Sequence, residues 1–106
     1  IQGASFTIIG AVEKLLLSYY DLEKKIYLDR EFDEDLEITT VSGNIAWKEA
    51  EPVIHAHGNF SNRHYECFGG HVKSMIVSAT CEVMMTVYDG VLSRAFDEGT
   101  GLNLLQ

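Results

Sequence analysis

The chain has 106 residues, the length of one domain, and 46% of them are hydrophobic, enough for one core and too many for a disordered segment. Eight Lys and Arg stand against sixteen Asp and Glu, a net charge of −8. That balance disfavours direct nucleic-acid binding, whose affinity comes largely from basic side chains displacing counterions.

The first predicted element is a strand from Ala4 to Val12, with Phe6, Ile8 and Gly10 on one parity and Gly10 marking a bulge or a close backbone approach. The next stretch fits two periods. Val12, Leu15, Leu16 and Tyr19 fall at helix spacing, whereas Leu15, Leu17, Tyr19 and Leu16, Ser18, Tyr20 fit a strand used on both faces. In the strand case Asp21-Leu22-Glu23-Lys24 turns the chain back through Lys25-Ile26-Tyr27-Leu28. After the acidic break Asp33-Glu34-Asp35, Leu36 to Trp47 is a long β-rich run with a bend or bulge at Gly43. Pro52 opens the next strand, where no ladder donor is required, and that strand runs to Phe60. Ser61-Asn62-Arg63-His64 is a polar loop, and Tyr65 to Phe68 leads into a turn at Gly69-Gly70-His71. A short turn at Val72–Met75 precedes the apolar run Ile76 to Tyr88, whose only charge is Glu82. Asp89-Gly90 is a turn dipeptide, Val91 to Phe96 the last strand, and Leu102 to Leu105 an apolar tail. The succession reads as mainly antiparallel β.

No apolar run approaches the roughly 18–20 residues of a membrane span. Cys67 and Cys81 are too few for a disulfide framework and no secretory signal is present, which points to the cytoplasm, with Cys81 a buried thiol. The chain opens at Ile1 rather than Met, as expected of a processed, tagged or trimmed end.

The chemistry concentrates in Val53-Ile54-His55-Ala56-His57 and Gly69-Gly70-His71. Residues i and i+2 of a strand share a face, about 6.6 Å apart at ~3.3 Å per residue, and tilted imidazoles can close that gap around one cation. His71 supplies a third ligand if the two glycines let the backbone turn in against the strand. Three neutral imidazoles suit a divalent metal, zinc first, and leave a fourth position open, the pattern of catalytic rather than closed sites. The plainer alternative is a strand with two polar residues facing solvent and an unrelated loop histidine. His64, beside Asn62 and Arg63, reads as solvated. Glu82 and Glu37 each have two readings: a solvent- or interface-facing residue, which is the default, or an acceptor for a ligating imidazole N–H. No phosphate-binding Gly-rich loop, Cys-X-X-Cys or serine elbow is present.

Taken together, Ile9-Gly10-Ala11-Val12, Tyr19-Tyr20-Asp21, Leu36-Glu37-Ile38 with Ser42-Gly43-Asn44, His55-Ala56-His57, Gly69-Gly70-His71, Glu82-Val83 and Arg94-Ala95-Phe96-Asp97 with Gly101-Leu102 resemble the PPC domain, the plants and prokaryotes conserved domain. The resemblance runs from about Ile8 to the C-terminus. It implies an α+β domain dominated by a twisted antiparallel sheet, assembled as a homotrimer, with Glu13–Tyr20 as strand. Prokaryotic members are metal-containing, which makes His55, His57 and His71 the expected ligands. The fold is also similar to that of acetolactate decarboxylase, an analogy of fold and not of reaction. Members usually begin with a strand-and-helix unit of about thirty residues. The resemblance here starts after that unit, so residues 1–106 are expected to hold one domain without its N-terminal part and with little helix. In plants the domain accompanies AT-hooks; no such hook is present here, so a DNA-binding label does not carry over as mechanism. Three functions follow in order of preference: a trimeric metal-binding interaction module, a metal-dependent enzyme acting on a small oxygenated substrate, and direct DNA binding.

Overall fold

A computed structural model describes all 106 residues. It contains seven strands and no helix: β1 (Ala4–Asp21), β2 (Ile26–Phe32), β3 (Leu36–Lys48), β4 (Glu51–Ser61), β5 (Cys67–Val87), β6 (Arg94–Asp97) and β7 (Leu102–Leu105). The β-dominated expectation holds; the helical share of an α+β domain has no counterpart among these residues.

β1 is the axis of the molecule. Its first half lies between β3 and the second half of β5, and its second half lies between β2 and the first part of β5. β4 joins β3 to the start of β5, so β1, β3, β4 and β5 close on themselves through antiparallel ladders. The closure needs local twist, which bulges supply. One falls at Gly10, where the register slips against β3 and again against β5. Gly10 sits at φ 154°, and a Cβ there would lie 2.2 Å from the Thr80 carbonyl oxygen.

These slips explain the ambiguous stretch. Ala4, Phe6 and Ile8 are buried on one parity, but Leu15 and Leu17 are buried on the other. The extra residues shift the inward face, so Val12 and Leu15 are both buried three apart inside a strand. That step mimics helix spacing, yet Leu16 is only partly buried and Tyr19 is exposed, which a helical stripe would not allow. The core is completed by Leu36, Ile38, Val41 and Phe60.

Five local expectations are corrected. Gly69 and Gly70 lie within β5, not in a turn; the reversal is made by residues 62–66, where Asn62 Oδ1 accepts from the His64 and Glu66 N–H groups and Tyr65 adopts φ 64°. Val72–Met75 continues the same strand because β1 pairs along it. The apolar tail is β7, paired with β6, which starts at Arg94 rather than Val91. Cys81 is exposed, since it sits where β5 has only β1 as a neighbour. Along that part of β5 Ile76, Val77, Val83, Met84, Met85 and Val87 are all exposed, an apolar strip beside an unpaired strand edge.

Candidate metal centre

Two ladders set the histidines. The β4–β5 hairpin pairs Phe60 with Phe68, Gly58 with Gly70, and His57 with His71. Directly opposed residues share a face, and alternation puts His55 on that face as well. Glycine is required at the crossing. A Cβ on Gly69 would stand 2.2 Å from the Gly58 carbonyl oxygen and 2.5 Å from Asn59 Oδ1, so a larger residue would push β5 away from β4. The backbone approach that sequence reasoning assigned to a turn is thus a close strand-to-strand contact.

The three rings face one another. Their centroids lie 5.0, 5.2 and 5.4 Å apart, and one ring nitrogen from each falls within 4.8 Å of the others. His55 Nε2 and His57 Nε2 are 3.2 Å apart. Tetrahedral ligation at ~2.0–2.1 Å places neighbouring nitrogens about 3.3 Å apart, so this pair fits a zinc-sized cation with little movement. Two of the donors, His55 and His71, are also held towards the neutral form. Burial, followed by the positive charge of Arg94, pushes the His55 pKa down to about 4. His71 is lowered chiefly by burial and then by His57. Neutral imidazoles keep the lone pairs a metal needs. A divalent ion held here would act as a Lewis acid at the floor of the cleft.

Neighbours hold the rings in place. Tyr27 stacks on His71 at 5.2 Å between centroids, and Tyr20 lies 4.9 Å from Tyr27 while its hydroxyl donates to the Thr100 carbonyl. Arg94, at the start of β6, is nine-tenths buried beside His55. Its Nη1 donates to the Asn103 carbonyl at 2.9 Å and its Nη2 to Asn44 Oδ1 at 2.8 Å, with His55 Nδ1 a further 3.3 Å contact of Nη2. A cleft of about 740 Å³ opens over the three histidines, walled by Tyr19, Tyr20, Val53, Ile54 and Leu104 among others.

The remaining sequence candidates fall elsewhere. Glu82 is exposed and pairs with Ile9; Glu37 is exposed and pairs with Ala11 and Ser61; neither lines the cleft. Cys67 is exposed opposite Ser61, and His64 is exposed in the hairpin loop. Arg94 entered the sequence reading only within a motif of the family resemblance; nothing in its neighbours Ser93 and Ala95 announces its burial beside His55.

An all-antiparallel sheet closed around a surface cluster of three histidines defines the class. The chain belongs to the Plants and Prokaryotes Conserved (PCC) domain family, whose model matches residues 1–89. It is similar to the crystal structure of a metal-containing protein from Archaeoglobus fulgidus, with 42% identity and a TM-score of 0.91 over 100% of this chain and 75% of that one. A plant- and prokaryote-conserved protein from Pyrococcus horikoshii matches at 27% identity and TM-score 0.92, covering 100% and 73%. A candidate DNA-binding protein from Ralstonia eutropha JMP134 matches at 34% and 0.92, covering 100% and 74%. No curated protein matches the chain.

Proposed function

We propose that this chain is a homotrimeric metal-binding module in which His55, His57 and His71 hold one divalent ion, zinc by preference, and whose role is association with itself and with other proteins. The observation that carries the reading is the convergence of one ring nitrogen from each histidine within 4.8 Å, all on one face. The metal content of the Archaeoglobus relative supports it. Zinc is favoured by an all-imidazole donor set. The trimer is supported by the exposed apolar strip of β5 beside an unpaired edge, a combination that chains cover when they associate. The free cysteines suit a reducing compartment, and we place the protein in the cytoplasm.

A second reading, a metal-dependent enzyme on a small oxygenated substrate, is favoured by the cleft above the histidines. It ranks lower because no Asp or Glu lines that cleft to serve as acid or base. Direct DNA binding ranks last. The relative from Ralstonia is described in those terms, but the −8 charge of this chain opposes a phosphate backbone.

Elemental analysis of untagged protein tests the leading reading, together with sedimentation equilibrium. It expects a metal at near one per chain and a trimer. Protein prepared with divalent metal supplied that carries none, or a monomer at all concentrations, overturns the corresponding half.

A further inference from the structure

We propose that the cleft over the histidines is a binding site for a small carboxylate with a short apolar tail, and that Arg94 is its counter-ion. The inference rests on the metal-binding reading for part of its driving force, and on Arg94 for its specificity.

Arg94 is nine-tenths buried and carries a full positive charge. The three ion pairs of the chain all use lysines, so no carboxylate of the protein answers it, although sixteen residues are acidic. An unpaired buried cation is costly, and an anionic ligand would offset that cost here. Its Nε has no hydrogen-bond partner. Of the five N–H bonds of a guanidinium, one meets the Asn103 carbonyl, one Asn44 Oδ1, and a third points at His55 Nδ1.

That third contact is conditional. A guanidinium only donates, so the contact requires a lone pair on Nδ1 and therefore the proton on Nε2. Use of Nε2 as a ligand moves the proton to Nδ1, and two donors then face each other. A metal held through Nε2 would thus free an Nη2 N–H of Arg94 from His55 and leave it in need of an acceptor. Asn44 and Asn103 hold the guanidinium at the cleft wall while this happens.

The walls give the rest of the ligand. Fifteen residues line the cleft; Arg94 is the only one among them from Asp, Glu, Lys and Arg, and Tyr19, Val53, Ile54, Leu102 and Leu104 offer apolar surface. A planar monoanion with a short hydrocarbon tail matches one guanidinium edge and that surface. A polyanion would meet the acidic remainder of the chain.

Isothermal titration of metal-loaded protein with butyrate, against butyramide as the uncharged isostere, tests the proposal. Butyrate should bind at least about ten-fold more tightly than the amide. Arg94→Gln should remove that preference while elemental analysis shows the metal retained. Equal affinity for acid and amide, no binding of either, or an unchanged preference in a folded Arg94→Gln protein overturns it. The acid–amide comparison needs no variant, so it decides even if Arg94→Gln does not fold. Metal-loaded protein without butyrate binding defeats this inference alone. Metal-free isolates that still prefer butyrate through Arg94 defeat the metal reading and leave the anion site standing.

Discussion

His57 and His71 are direct partners across the β4–β5 ladder, with His57 also opposite Ser42 and His71 opposite Ser18. Each ring is therefore fixed by two ladders rather than by a loop. The site is built into the closed sheet, and the same register that buries Phe60 against the core places the imidazoles together. A ring set by strand register needs little reorganisation to take up a ligand.

Removing any one of the three should abolish metal retention. Changes that only touch a ligating histidine through a neighbour typically cost 10–100-fold in affinity, so loss of a ligand should cost more than about a hundred-fold. His55→Ala, His57→Ala and His71→Ala are each expected to emerge from dialysis without metal. His64→Ala, exposed in the hairpin loop, should keep its full complement. Elemental analysis of the four proteins in parallel checks both statements.

Gly69→Ala tests the crossing without touching a ligand. The added methyl would overlap the Gly58 carbonyl oxygen, which is backbone and has no side-chain freedom to yield. Overpacking of this kind costs about 1–3 kcal/mol, and here it also separates β4 from β5 where His57 and His71 meet. The variant should unfold at lower denaturant and bind metal more weakly than the wild type. A protein with unchanged affinity would show that the ladder does not set the site.

Most of the sheet was legible because short alternating stretches survive, as at Ala4–Ile8 of β1 and Leu36–Ile38 of β3. His55 and His57 could be placed on one face from parity alone. What hid the rest was long-range pairing. The bulges in β1 move the inward face between Ile8 and Leu15, and a bulge is defined by the partner strand, not by local sequence. Gly69-Gly70 carried a real signal, a close approach, but sequence offers no way to tell strand crossing from turn. The burial of Arg94 was hidden for the same reason: its partners are Asn44, fifty residues away, and the Asn103 carbonyl in β7.

The exposed strip on β5 yields a separable prediction. Met84 is 75% exposed in the single chain, so a charge there costs the isolated fold little. Val83→Lys with Met84→Asp should shift the sedimentation profile from trimer to monomer, with metal content per chain unchanged. An intact trimer in the double variant would assign the contact to another surface.

Acid should destabilise the metal-free protein over a defined window. The His55 pKa is pushed down to about 4 in the fold, by burial first and Arg94 second, whereas the unfolded chain protonates near 6.5. Between those values the unfolded state binds more protons, so stability falls as pH falls. The His55 contribution is complete above about 6.5 and gone by about 4; His71, lowered mainly by burial, adds in the same direction. Both rings are partly open to solvent, which screens the effect to about 1 kcal/mol. Denaturant melts of metal-stripped protein between roughly pH 7.5 and 4.5 should therefore show a falling midpoint. In Arg94→Gln the second cause is removed, the His55 pKa rises towards its ordinary value, and the slope should flatten. The same low basicity defers acid release of metal from the loaded wild type below the pH of about 5–6 expected for unperturbed imidazoles, because protons compete less well for the lone pairs.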